Sequence, residues 1–283
     1  MTIQKVGIVG AGTMGNGIAQ VCAVAGCDVV MVDITDAALQ KGTATLTKSL
    51  GRLVEKGKLK ASARDAATRR IATSTDYREL ASADIVIEAA TEHAELKVRI
   101  LKQIEGVAKP DAIIASNTSS ISITTLAASL RDAARFVGMH FFNPVPLLPL
   151  VEVIRGLETS DATVSTTREL AQRLGKSPIV VRDSPGFVVN RILVPMINEA
   201  FCVLAEGVAT PEEIDEGMKL GANHPIGPLA LSDLIGLDVC LSVMDVYLED
   251  FGDSKYRASP LLRELVAAGR FGRKTGRGVY RYE

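Results

Sequence analysis

The sequence predicts an α/β domain with a doubly wound, mostly parallel sheet, followed by an all-helical domain, on three observations. Short β-branched runs alternate with helical patterns in the first part of the chain, which is typical of a doubly wound sheet. A glycine-rich turn joins the first run to the first helix. After Ser184-Pro185-Gly186 only helical periodicity continues. We therefore place the two domains at residues 1–184 and 185–283.

The chain opens with a strand, a turn, a helix and a second strand. KVGIVGAG is an apolar run broken by glycine, TMGNGIAQVCAVAG predicts a helix ending at Gly26, and DVVMVD is a second β-branched run. Two parallel strands with a helix between them form a βαβ unit. A charge-rich stretch over 37–70, interrupted at Gly57 and Lys58, then predicts two helices in a hairpin.

The rest of the chain contains the remaining strands of the first domain and then the helices of the second. Further strands are predicted at Ile85–Glu88, Ile113–Ser116, Phe136–His140, Leu150–Ile154 and Ile179–Val181, with a helix near Thr163–Leu174. In the second domain, helices are predicted at Val188–Glu206, with a kink at Pro195, from Pro211 onward, and over Leu229–Glu249. Apolar residues are denser in this domain than a small helical unit needs for its own core. We therefore expect part of its surface to be buried between subunits.

The composition of the chain excludes several classes of function. With 283 residues and 47% hydrophobic residues, the chain can bury a sizeable core in two moderate domains. A formal net charge of -1 offers no basic footprint for nucleic acid, and no apolar stretch is long enough for a membrane span. The four cysteines form no CxxC pair and no metal-ligand spacing with the three histidines. We expect no metal and a reducing compartment, the cytoplasm.

Gly10-Ala11-Gly12-Thr13-Met14-Gly15 matches the G-x-G-x-x-G pattern of Rossmann-like folds, between a predicted strand and a predicted helix. Such a turn brings backbone close to a pyrophosphate at the helix N-terminus, so Gly10, Gly12, Thr13, Met14 and Gly15 are predicted to bind a dinucleotide. The next strand ends at Asp33, where an acid binds the cofactor ribose. No basic residue follows in Ile34-Thr35-Asp36 to hold a 2′-phosphate. The pattern therefore favours NAD over NADP.

A histidine and a glutamate suggest acid–base chemistry. His140 ends an apolar run, and Glu152 lies in the apolar run LVEVI after a proline-rich loop. A carboxylate on a neighbouring strand would fix the imidazole tautomer and stabilise the imidazolium. The alternative is a structural histidine beside a surface glutamate.

Six motifs together resemble the L-3-hydroxyacyl-CoA dehydrogenase family, and most closely its bacterial 3-hydroxybutyryl-CoA members. In chain order they are GAGTMG, EAATE, SNTSS, GMHFFNPVP, SPGFVVNR and HPIGPLALSDLIGLD. The resemblance spans essentially the whole chain. It implies oxidation of (S)-3-hydroxyacyl-CoA to 3-oxoacyl-CoA by NAD, or the reverse, as in fatty acid metabolism. It also implies a helical C-terminal domain that forms a homodimer.

The resemblance assigns roles to the polar residues of these motifs. His140 and Glu152 correspond to the family's catalytic pair, and Ser119 and Asn190 to its other active-site polar residues. For Ser119 helix capping is an alternative. Asn190 could instead be a satisfied interdomain polar residue.

Four more residues match family binding positions. Glu92 and Lys97 match positions that contact the nicotinamide half of the cofactor, although they could be a helix N-terminal acid and a solvated lysine. Ser49 and Lys56 match positions that contact coenzyme A. Their spacing of seven residues would place them two turns apart on one helix face. A solvated helix face is the alternative for Lys56.

Other functions remain open on the sequence alone. Related hydroxyacid dehydrogenases use a lysine as the acid–base group, whereas the match here centres on His140. A sugar-acid dehydrogenase of the lambda-crystallin group shares the fold. The third alternative is a non-catalytic, crystallin-like protein. An assay with acetoacetyl-CoA and NADH distinguishes these alternatives from a 3-hydroxyacyl-CoA dehydrogenase.

Overall fold

The computed structural model describes residues 2–282 and divides into two compact units between Ser184 and Pro185. The first and last positions of the two predicted domain ranges lie outside the described residues. Each unit is described separately below. The first contains a sheet covered by helices, and the second is built from helices.

The first unit contains eight strands and six helices. The strands are β1 (Lys5–Val9), β2 (Asp28–Val32), β3 (Ile71–Ser74), β4 (Ile85–Glu88), β5 (Ile113–Ser116), β6 (Phe136–Phe141), β7 (Leu150–Arg155) and β8 (Ser177–Arg182). The helices are α1 (Thr13–Val24), α2 (Asp36–Glu55), α3 (Ala61–Arg69), α4 (Ala94–Val107), α5 (Ile123–Ala127) and α6 (Asp161–Arg173).

The strands form one sheet in the order β3-β2-β1-β4-β5-β6-β7-β8. Neighbouring strands are parallel except β6 and β7, which are antiparallel. The chain builds outward from β1 to β3 and then crosses back to β4, so the strand order reverses between β1 and β4. In sheets of this kind ligands bind at that reversal, beyond the carboxyl ends of the strands. The α/β fold class predicted from the sequence is confirmed.

The central strands are buried on both faces, as parallel strands covered by helices must be. Val6, Ile8, Ile85 and Ile87 are fully buried on one face, where they join a core cluster with α1, and Val9 and Val86 are buried on the other. Strand β3 was not predicted. Its residues, Ile71–Ser74, are half-buried or exposed at the sheet edge, so they carry no run of apolar residues that would indicate a strand.

The second unit contains α7 (Val189–Ala205), α8 (Pro211–Gly221), α9 (Pro228–Ile235), α10 (Leu237–Phe251) and α11 (Pro260–Ala267). Within its described residues, the only β-type pairing is two isolated bridges among Gly272, Arg277 and Arg281. The predicted helical character of this unit is therefore confirmed. Its core cluster includes Phe201, Leu229, Met244 and Tyr247.

The single helix predicted over Leu229–Glu249 is wrong, because two helices, α9 and α10, occupy this stretch. Gly236 separates them with φ +112° and ψ 124°, which is outside the helical region. A Cβ at Gly236 would also lie 2.8 Å from Asp238 Oδ1. The apolar periodicity continues through this glycine, so the pattern alone does not reveal the break.

Candidate active site

The glycine turn between β1 and α1 forms a cradle that only small residues fit. Gly10 has φ +104°, and a Cβ there would lie 2.7 Å from the Ala89 carbonyl oxygen. A Cβ at Gly15 would lie 1.7 Å from the Gly10 carbonyl oxygen, so α1 could not pack this closely with any other residue. A Cβ at Gly12 would meet nothing within 4 Å. The turn therefore leaves open space beside Gly12, where a ligand can approach the backbone.

Helix α1 supplies the positive end of a helix dipole at this turn. Within the described residues, no side chain caps its N-terminus, so its first-turn N–H groups are available to an anion. Asp33 follows β2 beside the turn. Its Oδ2 accepts a hydrogen bond from the Ala11 N–H at 2.7 Å, and its Oδ1 accepts one from the Ile34 N–H at 2.7 Å. These bonds hold the carboxylate in place, and each oxygen keeps a lone pair for a ribose hydroxyl.

A cleft opens on the other side of the turn, beyond the ends of β4 and β5. It is lined by Gly12, Thr13, Met14, Ala89, Ala90, Thr91, Glu92, Lys97 and Asn117. Asp33 follows β2, on the opposite side of β1 in the sheet order. A dinucleotide whose pyrophosphate lies at α1 and whose ribose meets Asp33 would place its other half in this cleft. The residues present thus fit NAD.

A buried ion pair forms part of this cleft. Lys97 on α4 donates to Glu88 Oε2 at 2.5 Å, and the two side chains are 1% and 0% exposed. Ser116 donates to the same oxygen at 2.8 Å, and the Ala90 N–H donates to Glu88 Oε1 at 2.9 Å. The solvated-lysine alternative for Lys97 is therefore wrong. Glu88 was not predicted as a site residue, although a glutamate ending the apolar run IVIE was a usable signal.

Glu92 connects this pair to Ser119. Its Oε2 lies 3.8 Å from Lys97 Nζ and accepts the Thr118 hydroxyl at 2.8 Å. Its Oε1 accepts the Ser119 N–H at 2.6 Å and the Ser119 hydroxyl at 2.9 Å. Ser119 is not a helix cap, because Ser122 caps α5 by accepting the Thr125 N–H. The Ser119 hydroxyl has a single hydrogen, which it can donate either to Glu92 or to the oxygen atom of a bound substrate.

His140 and Glu152 face each other on antiparallel strands. They are register partners in β6 and β7, and His140 Nδ1 lies 2.8 Å from Glu152 Oε2. Both side chains are buried. Because the carboxylate only accepts hydrogen bonds, Nδ1 carries the proton and Nε2 is the basic nitrogen. Ser116 and Gly138 are register partners, so His140 lies at the carboxyl end of β6, the same sheet edge as the cleft.

The loop after His140 is anchored at several points. Asn117 Oδ1 accepts the Phe141 N–H at 2.9 Å, and Lys176 donates to the carbonyl oxygens of Val145 and Leu148. Burial lowers the pKa of the Lys176 ammonium. Asn117 was not singled out from the sequence, although it follows directly on β5. These contacts fix the segment between the histidine and the glutamate.

The other polar residues considered in the sequence lie in helices or at helix ends. Ser49 lies in α2, half-buried, and α2 packs against α1 and β3. Lys56 is exposed and is the C-cap of α2, not a helical residue, so the predicted shared helix face is corrected to a helix and its end. Asn190 is the second residue of α7, in the other unit. His93 is the exposed N-cap of α4.

The described residues contain neither a metal-binding cluster nor a membrane-spanning helix. No group of three or more His, Cys, Asp or Glu side chains between residues 2 and 282 is arranged to hold a metal ion. The cysteines are free thiols, and burial raises the pKa of Cys240 to about 12. No helix in this part of the chain combines the length and apolar character of a membrane span.

A doubly wound sheet with a glycine cradle, an aspartate after β2 and a buried histidine–glutamate pair is typical of a dinucleotide-dependent oxidoreductase. Residues 5–184 match the family model of the 3-hydroxyacyl-CoA dehydrogenase NAD binding domain, and residues 186–282 match that of the C-terminal domain. The chain belongs to the 3-hydroxyacyl-CoA dehydrogenase family. It is an NAD-dependent oxidoreductase.

Similar proteins cover the chain from end to end. The crystal structure of an (S)-3-hydroxybutyryl-CoA dehydrogenase from Ralstonia eutropha is 66% identical, with a TM-score of 0.98 over 100% of both chains. A probable 3-hydroxybutyryl-CoA dehydrogenase of Deinococcus radiodurans is 53% identical, covering 99% of this chain and 100% of that protein. The 3-hydroxybutyryl-CoA dehydrogenase of Bradyrhizobium diazoefficiens is 53% identical, covering 99% and 96%.

Proposed function

We propose that this chain interconverts (S)-3-hydroxybutyryl-CoA and acetoacetyl-CoA, with His140 as the acid–base group and Glu152 as its partner. The observation that carries the proposal is the buried 2.8 Å contact between His140 Nδ1 and Glu152 Oε2 at the carboxyl edge of the sheet. The names of the relatives supply the substrate class. The proposal covers the substrate and the residue roles.

The proposed chemistry separates a proton from a hydride. The cleft would hold NAD, which would supply the acceptor for the hydride on the carbinol carbon. His140 Nε2 takes the hydroxyl proton, so that the C–O bond becomes a carbonyl as the C–H bond breaks. Glu152 stabilises the imidazolium that results, because its carboxylate lies against Nδ1–H in a buried site. In the reverse direction the imidazolium returns the proton to the forming alkoxide.

Polar neighbours orient the substrate in this proposal. The Ser119 hydroxyl, which lies beside Glu92, is proposed to donate its hydrogen bond to the substrate oxygen in place of the carboxylate, because the substrate hydroxyl proton goes to His140. Asn190 is proposed to bind the same oxygen, and Ser49 and Lys56 to bind coenzyme A. The first unit would thus hold the cofactor through Gly10–Gly15, Asp33, Glu92 and Lys97. The second would contribute to substrate binding and dimerisation.

The histidine role is tested with His140→Gln. We expect kcat with acetoacetyl-CoA and NADH to fall by about 100- to 10,000-fold, the contribution typical of general acid–base catalysis, while NADH binding is retained. His93→Asn is a matched control, because His93 is an exposed helix cap and asparagine keeps that capping chemistry. Near-normal turnover of His140→Gln would refute the role. Absence of turnover by the wild-type chain would favour the sugar-acid or non-catalytic alternative.

We further propose that the second unit forms a homodimer. Ile192, Val208, Leu220 and Leu234 are large apolar side chains that are more than half exposed, and exposed apolar clusters mark contact surfaces. Light scattering on the purified chain tests this. A monomer at micromolar concentration would contradict it. Free cysteines fit a reducing compartment, which supports a cytoplasmic location; cell fractionation that recovers the chain elsewhere would contradict that location.

A further inference from the structure

Two charged side chains that line the cleft, Lys97 and Glu92, and the buried Glu88 form a unit that we name the cleft charge cluster. Lys97 Nζ lies 2.5 Å from Glu88 Oε2 and 3.8 Å from Glu92 Oε2. Two carboxylates and one ammonium leave a formal charge of -1 on the cluster. The negative charge is therefore built into the wall of the cleft.

The geometry shows that Lys97 neutralises one of the two carboxylates, Glu88, and leaves the charge of Glu92 uncompensated. Glu88 is fully buried, and its two oxygens take up Lys97, Ser116 and the Ala90 N–H. Glu92 is farther from the ammonium, and its side chain is 47% exposed. A buried charge is held most strongly by a close, hydrogen-bonded partner. Lys97 therefore compensates Glu88, and the charge of Glu92 is directed toward the cleft.

Glu92 is also fixed in position. It accepts three hydrogen bonds, from the Thr118 hydroxyl, the Ser119 N–H and the Ser119 hydroxyl. A surface carboxylate without such bonds would move with its side-chain rotamers and be screened by water. Because Glu92 is tied to the segment after β5, its charge remains at one place in the cleft.

Glu92 lies on the side of the sheet where the nicotinamide half of the cofactor would bind. The nicotinamide half is the part whose charge changes in the reaction. The pyrophosphate cradle and Asp33 assign the adenosine half to the β2 side, so the nicotinamide half lies on the β4 side. An oxidised nicotinamide ring is a cation, and the reduced ring is neutral. A fixed negative charge in the cleft attracts only the oxidised form.

We propose that the cleft charge cluster sets the relative affinity for NAD⁺ and NADH, with Glu92 as the discriminating charge. Glu88 is a positioning residue that holds Lys97 so that the ammonium does not cancel Glu92. The inference rests on the cofactor placement in the proposed function. It goes beyond cofactor contact, because it concerns the redox state that the apoprotein prefers.

The first test is Glu92→Gln, which removes one charge and keeps the side-chain shape. The ratio of the Kd for NADH to the Kd for NAD⁺ is measured by NADH fluorescence and by NAD⁺ competition. We expect the ratio to fall about tenfold, the change for one unit charge within about 10 Å at the screening typical near a protein surface. Glu95→Gln is the matched control, because Glu95 is an exposed acid in the first turn of α4. It should leave the ratio unchanged.

A second pair of variants tests Glu88. Glu88→Gln removes the partner of Lys97 and brings the cluster to zero charge, so the ratio should fall as it does for Glu92→Gln. The double variant Glu88→Gln with Lys97→Met restores the charge of -1 and should restore the ratio. A purely structural role of Glu88 would not be rescued in this way. Thermal unfolding of each variant identifies any that do not fold, and Glu92→Gln, at a half-exposed site, then decides the proposal alone.

The outcomes separate this inference from the proposed function. A ratio that is unchanged in Glu92→Gln, or equal to that of Glu95→Gln, overturns the inference even when the wild-type chain turns over acetoacetyl-CoA and His140→Gln does not. A ratio that falls as expected supports the inference even when that substrate is not turned over. Equal weakening of both cofactor forms also overturns it, because that result indicates loss of binding without charge discrimination.

Discussion

Replacing Glu152 by Gln isolates the charge of the histidine partner from its shape. The side chain of Glu152 is fully buried and contacts His140 Nδ1 at 2.8 Å, and the imidazole is 6% exposed. Glutamine fills the same space and its amide oxygen can still accept the Nδ1–H bond, so the change in the free energy of unfolding should be small. What is lost is the negative charge beside the imidazolium of the proposed mechanism.

The size of this loss follows from the burial of the pair. A hydrogen bond to a charged group contributes about 1.5–3 kcal/mol, and because both groups are buried, solvent screening does not reduce it. A loss of about 2.7 kcal/mol from the transition state lowers kcat about 100-fold. The Kd for NADH should not change, because Glu152 lies on β7, beyond the strands that form the cofactor cleft.

The assay follows NADH consumption with acetoacetyl-CoA under saturating conditions, together with thermal unfolding. Glu158→Gln serves as the control, because Glu158 is an exposed acid in the turn that follows β7. A kcat for Glu152→Gln within about threefold of the Glu158→Gln value, well under the effect expected from a buried charge-assisted bond, would refute the reasoning. It would mean that Glu152 serves packing only.

Three further predictions follow from other parts of the structure. Gly15→Ala should lower the free energy of unfolding by about 3 kcal/mol and abolish NADH binding, because its Cβ would overlap the Gly10 carbonyl oxygen; wild-type denaturant midpoints and NADH titrations would contradict this. The double variant Asp33→Ala with Ile34→Arg should shift the ratio of kcat/KM values from NAD toward NADP, because the carboxylate is lost and a cation is placed beside the ribose; unchanged cofactor kinetics would count against the role of Asp33. Burial lowers the pKa of Lys176 from its ordinary value of 10.5, so the unfolded state binds more protons as the pH approaches 10.5, and stability should rise with pH in that window. The free energy of unfolding of the wild type minus that of Lys176→Met should therefore increase toward pH 10.5, and a flat difference would show that the lysine ammonium is not disfavoured by burial.

Much of the fold could be predicted because its signals are local. Strands β4 and β5 have the predicted bounds, since both are short buried runs of branched residues. The glycine cradle and Asp33 were also predicted, because their spacing depends on one βαβ unit. Edge strand β3 and the break at Gly236 were missed. Strand β3 carries no apolar run. The break at Gly236 is a backbone conformation that side-chain periodicity does not encode.

The candidate site was predicted only in its residue types. On the sequence, Lys97 could be a cofactor-contacting residue or a solvated lysine. Its burial against Glu88 excludes the solvated lysine. Helix capping was an alternative for Ser119 on the sequence, and the structure has Ser122 as the cap of α5. Side chains that act together here come from different strands and helices, so their distances depend on how the sheet is assembled.

The sequence by itself determined most of the strands and helices and their order, the glycine turn, and the presence of a histidine and a glutamate in two apolar strands. Only the tertiary structure decided which charges meet. Glu152 reaches His140 because β6 and β7 pair antiparallel in a register that sets these two residues opposite each other. A slip of one residue would turn Glu152 to the other face of the sheet. Such a register is fixed by packing of the whole sheet, which no local stretch of the chain specifies.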